Sequence, residues 1–320
     1  MLPQIQFPQV LIIYTGSDPG SMVNLVNRLR EISVSHILKI KTIHQAWPQW
    51  KSRINEIFGD RHTPTLVLDL GDDLADIFKK TSQSGRSQAV LKKGGIAWEG
   101  LVGWYLNLCL LGSRTVIVKM NKDMVPEPIR DAITVFYGSF ASNSESDLLA
   151  ITFPKRTEYT TDINEEQESS KEIKKIMDVL AEQHFSEYEV GIIQCKTNWN
   201  DNAQIPMLWD MVYHAKGFGA RNISVGKNNY SIDGLKRFTY SFVTVPSNKR
   251  GIGKNTMPVN RVYNISGGNY WGMPSESGVA SSLKEIFSKN FSSGAKHSLR
   301  KDLAGELPKL NTKYAYFNLV

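Results

Sequence analysis

From Ile96 to Leu111 the chain is apolar on nearly every helical position, with Glu99 as its one charge. A stretch that is hydrophobic all round must be buried all round, so other elements have to surround it. It is shorter than the ~20 residues a bilayer span requires and carries a carboxylate, which predicts a core helix and no membrane span. Within such a helix Glu99 is costly unless a cation, a metal or hydrogen bonds compensate it. Either it pairs with an arginine such as Arg114 or emerges at the helix end, or it belongs to a site.

Apolar periodicity predicts the remaining elements. Val10 to Tyr14 reads as a buried strand and Ser21 to Ile32 as a helix. Strands at Ile37 to Ile43 and Thr65 to Leu70 enclose a helix from Trp47 to Phe58, giving α/β alternation in the first part. A strand Thr115 to Lys119, a helix Pro128 to Phe136, a strand Asp147 to Phe153 and an amphipathic helix Lys171 to His184 follow. Then come a strand Glu189 to Lys196 and a helix from about Asn202 to Ala215. Strands at Arg221 to Val225, Arg237 to Val245 and Arg261 to Ser266 precede a helix over Val279 to Phe291. The expected fold is α/β, a mixed central sheet flanked by helices. Residues 1–93 read as an N-terminal α/β segment packed on a core of residues 94–245. Residues 246–320 form a β/α segment with a role in DNA binding or dimerisation.

Two strands end in polar groups. Asp147 stands where the turn Ser142 to Ser146 meets an apolar strand, either as a turn or cap residue or as a carboxylate aimed into a cleft. Gln194 and Lys196 lie two apart in the strand Val190 to Lys196, so their side chains leave one face together. Lys196 either snorkels from the strand end or serves a site.

In this order the three features resemble the PD-(D/E)XK nuclease family, the fold of many type II restriction endonucleases. There an acid at a strand start and an acid-x-Lys triplet on the next strand hold a divalent metal, often helped by a Glu from a preceding core helix. Asp147 matches the first, Gln194-Cys195-Lys196 the second in the form with Gln in place of the acid, and Glu99 the third. The resemblance covers about residues 94–215. It implies a restriction-endonuclease-like core with Glu99, Asp147, Gln194 and Lys196 as catalytic residues. It implies Mg²⁺ held by Asp147, Glu99 and Gln194, and a homodimer cutting double-stranded DNA at a specific site. Hydrolysing a phosphodiester needs charge stabilisation on the phosphate and an activated water, which a hard cation supplies. Lys196 would add stabilisation of the developing negative charge.

The net charge of +7 suits a polyanionic partner. Asn198, Asn200 and Asn202 lie directly after the triplet, with side chains that pair with bases or cap a helix. Lys236, Arg237, Lys249 and Arg250 either line a DNA groove or form solvated faces. Two cysteines in apolar runs and no charged leader at Met1 lead to the expectation of a reduced, cytoplasmic compartment.

Other motifs fit less well. The loop Thr15 to Ser21 lacks dinucleotide-binding glycine spacing, and Gly251 to Thr256 lacks the residues of a phosphate-binding loop. The six histidines show no metal-ligand spacing.

Overall fold

The helix that the sequence demands is Gly94–Cys109, and the chain builds two layers of structure around it. The structure, a computed structural model, describes residues 23–80, 94–142, 146–163, 169–197, 223–245, 255–272, 282–289 and 293–319. Among these the helices are α1 (Leu25–Lys39), α2 (Lys41–Phe58), α3 (Pro64–Lys80) and α4 (Gly94–Cys109), followed by α5 (Glu127–Ala132) and α6 (Ser170–His184). Three more, α7 (Met257–Ser266), α8 (Ile286–Lys289) and α9 (Ser293–Glu306), lie toward the C-terminus. The strands are β1 (Thr115–Lys119), β2 (Val135–Tyr137), β3 (Phe140–Ser142), β4 (Leu148–Thr152), β5 (Glu189–Lys196), β6 (Ile223–Val225), β7 (Arg237–Thr244) and β8 (Tyr270–Gly272).

Five strands form the central sheet in the order β1-β4-β5-β7-β8. β4 runs antiparallel to β1 and to β5, while β5, β7 and β8 are parallel, so the sheet is mixed. A second sheet of three short strands, β3-β2-β6, is antiparallel throughout.

Alternate residues of the central strands feed two cores. Ile117, Leu148, Ala150, Ile193, Cys195 and Val243 face α4 and the helices around it. Val116, Val118, Leu149, Ile151, Val190, Ile192 and Tyr240 face α6 and the start of α1. Burial on both faces explains why β4 is apolar from Leu148 to Ile151. Each fully buried Leu, Ile or Val here contributes on the order of 2 kcal/mol.

The close seating of α4 depends on a missing side chain: a Cβ at Gly100 would lie 2.0 Å from Ile43 Cδ1 of α2. Polar side chains then fix the depth of α4 against the sheet edge. Asn107 Nδ2 donates to Ile117 O at 2.8 Å, and its Oδ1 accepts from Ile117 N at 3.1 Å. Ser33 Oγ donates to the same carbonyl at 2.8 Å. The fully buried guanidinium of Arg30 donates to the carbonyls of Leu110, Ser113 and Thr115. Outward groups of β1 that lack a strand partner are thereby satisfied.

Several expectations are corrected. Ile37 to Ile43 spans the end of α1, an extended break at Ile40 and the start of α2, and Thr65 to Leu70 is helical, so residues 25–80 contribute helices in place of α/β alternation. In α2 the buried residues Ile43, Ala46, Trp47, Trp50, Ile54 and Phe58 recur at helical spacing. Arg261 to Ser266 belongs to α7, which buries Val259, Val262 and Ile265 and stops at Gly267 in the left-handed conformation, φ +60°. The expected helix over Pro128 to Phe136 ends at Ala132, and β2 begins at Val135. The strand at Val10 to Tyr14, the loop Thr15 to Ser21 and the helix Asn202 to Ala215 lie outside the described residues. Of Val279 to Phe291, the described part is a 3-10 turn, Leu283–Glu285, and the single turn α8.

No helix among the described residues is long and apolar enough to cross a membrane.

Candidate active site

Strand directions alone bring the chemistry-bearing residues to one end of the sheet. Because β4 is antiparallel to both its neighbours, its first residues lie beside the last residues of β1 and β5: Lys119 pairs with Leu148, and Leu148 with Ile193. Asp147, just before β4, therefore meets Gln194. Parallel pairing carries the same end onward, with Lys196 opposite Thr244 at the end of β7.

Asp147 Oδ2 accepts from Gln194 Nε2 at 2.5 Å and from the backbone N–H of Cys195 at 2.8 Å. One carboxylate oxygen is thus bound to two successive residues of β5, fixing the side chain across strands 47 residues apart in sequence. Gln194 is buried, and its Oε1 has no hydrogen-bond partner. Buried amide oxygens are normally paired, so an orphan beside a carboxylate needs an explanation.

Glu99 comes to the same end from α4. Its Oε1 lies 2.7 Å from Nζ of Lys119, with side chains 12% and 18% exposed. The expected structural partner was an arginine such as Arg114. Lys119 takes that place, and Arg114 instead donates to the carbonyl of Phe153. Burial pushes the Glu99 carboxyl up to about 7, with Asp147 adding to the rise and Lys119 and Lys196 opposing it. Glu99 therefore feels one further carboxylate and two ammonium groups.

Cys195 points from the same strand into the α4-side core. Burial, reinforced by Asp147 and Glu99, pushes its thiol well above the usual range and so disfavours the thiolate.

Glu99, Asp147 and Gln194 offer only oxygen donors, the ligand type that magnesium takes. Among the described residues no group of three or more His, Cys, Asp or Glu side chains is placed to hold a metal. The set here is two carboxylates and an amide, and the orphaned Gln194 Oε1 fits a role as the third oxygen.

The structure thus brings Glu99, Asp147, Gln194 and Lys196 to one end of the sheet: Asp147 is bonded to Gln194, and Glu99, arriving from α4 on the Cys195 face, is linked to Asp147 and Lys196 through their charges. It does not bring Lys236 or Arg237 to them. Arg237 pairs with Glu189 at the far end of β5, seven residues and roughly 23 Å from Lys196 at the ordinary strand rise. Lys236 forms an ion pair with Glu189 at 3.2 Å. Asn198, Asn200, Asn202, Lys249 and Arg250 lie outside the described residues.

Sequence reasoning missed Lys119. A signal was present: the apolar strand Thr115–Lys119 ends in a lysine just as β5 does.

No family model, no curated protein and no solved structure matches this chain.

Proposed function

We propose that this chain is a magnesium-dependent, site-specific endonuclease of double-stranded DNA with a restriction-endonuclease-like core, acting as a homodimer inside the cell. The observation that supports this most is the arrival of Asp147, Gln194 and Glu99 at one end of the sheet from three separate segments, with Asp147 bonded to Gln194 and a buried amide oxygen left without a partner. That is the arrangement expected from the resemblance to PD-(D/E)XK nucleases.

Asp147, Glu99 and Gln194 Oε1 would hold the ion, which when bound supplies positive charge to the phosphate and activates a water. The residues of the chain do the rest. Cys195 N–H and the Gln194 amide orient Asp147, so its second oxygen has a defined direction before DNA arrives. Lys196, at the end of the same rigid strand, stabilises negative charge developing on the phosphate and orients the attacking water. The net charge of +7 favours approach of the polyanion and makes binding weaken with salt.

A second reading rests on the Glu99–Lys119 pair, which neutralises one of the two carboxylates internally. It makes the chain a DNA-binding protein whose core no longer cuts. Incubation with bacteriophage DNA and Mg²⁺ separates the readings. Discrete fragments support the specific nuclease and smearing supports a nuclease of repair or recombination type. Binding without cutting supports the second reading. Full cleavage by both Asp147→Ala and Lys196→Ala would show the site to be elsewhere.

A further inference from the structure

The end of β7 holds a polar atom that the site as described does not use. Thr244 is fully buried, and its hydroxyl has no hydrogen-bond partner. It sits between Val243 and Val245 in an otherwise apolar stretch, where a valine would fill nearly the same space without a hydroxyl to satisfy. Buried orphans of this kind are rare in folded chains and concentrate where function overrides packing.

Register says what Thr244 stands beside. In the parallel pair β5·β7 it is the direct partner of Lys196, and Val245 N donates to Lys196 O at 3.1 Å, locking the two residues side by side. In-register residues of paired strands share a face, so Thr244 lies on the face that carries Gln194 and Lys196. Its partner on the other side is Gly272 of β8, which brings no side chain to bond the hydroxyl.

We propose that Thr244 is a positioning residue for Lys196: its hydroxyl oxygen accepts a hydrogen bond from the Lys196 ammonium as that ammonium engages the phosphate of the strand to be cut. A lysine is a point charge on a flexible four-carbon stem with three donors, and an acceptor beside the stem narrows the directions the charge takes. This inference rests on the nuclease reading above.

The test compares Thr244→Val and Thr244→Ser with the wild-type chain, measuring kcat and KM on an oligonucleotide duplex with Mg²⁺ and melting temperature in EDTA. Thr244→Val is expected to lower kcat by roughly 10- to 100-fold, the scale of one hydrogen bond to a charged group, with KM unchanged. Thr244→Ser recovers most of that loss. Thr244→Val is also expected to melt no lower than wild type, because it removes an unsatisfied buried hydroxyl. Wild-type kcat in Thr244→Val, equal losses in both variants, or a lower melting temperature for Thr244→Val each overturns the inference while leaving the nuclease reading in place. A wild-type chain that cuts no DNA overturns both.

Discussion

Replacing Glu99 by Gln keeps the volume of the side chain and an acceptor oxygen for Lys119, but removes the charge. In the folded chain the Glu99 carboxyl ionises near about 7, against an ordinary value of 4.5. The folded state therefore holds the proton more tightly than the unfolded state, and stability falls as pH rises from 4.5 to about 7. Below that window Glu99 is neutral in both states. Above it the full cost, about 3 kcal/mol, is present. The glutamine variant lacks this slope. In EDTA, urea unfolding of the two proteins at pH 4.5 and pH 8 should show the variant gaining about 3 kcal/mol on wild type across that range. Most of the change should fall between pH 5 and 7, at no more than about 1.4 kcal/mol per pH unit, the limit for one proton. A difference that stays constant with pH, or moves in favour of wild type, would refute the claim that Glu99 is held against its charge.

Magnesium at about a hundred times its Kd should stabilise the wild-type chain by roughly 2.7 kcal/mol in urea unfolding without EDTA, and Asp147→Ala should lose most of that gain. Lys196→Ala is expected to reduce DNA cleavage by at least about 100-fold while leaving the urea midpoint within error of wild type. Asn107→Leu strands the N–H of Ile117 at a buried sheet edge and should cost about 3 kcal/mol, read from chemical denaturation. Gly71→Ala puts a Cβ 2.6 Å from the backbone nitrogen of Lys284 and from the hydroxyl of Tyr105, and should lower the melting temperature by several degrees; a neutral result would mean that α3 shifts freely.

The strands that carry the site were the most legible part of the sequence. Thr115–Lys119 and Glu189–Lys196 have the bounds that their apolar runs predict, because a strand buried on both faces must be continuously apolar and must stop where charge begins. The errors came from equally short apolar runs, Ile37 to Ile43, Thr65 to Leu70 and Arg261 to Ser266, which look alike in strand and helix until neighbours outside the window are counted. Glu99, Asp147, Gln194 and Lys196 could be singled out as candidates because each is a polar group in an apolar setting. Lys119 and Thr244 required the strand order and register, which spacing along one chain does not contain. The work of Asn107 and Arg30 was hidden for another reason: their partners are backbone atoms, and any sequence supplies those.

The outward rim of β1 has a consequence for how copies of the chain can associate. Ile117 and Thr115 present their backbone groups to Asn107, Ser33, Ser113 and Arg30, so at these two residues the flank of the sheet offers no open donor or acceptor to template a strand from another molecule. Running two sheets together at these residues would first break those bonds. Any association along that edge has to run through side chains.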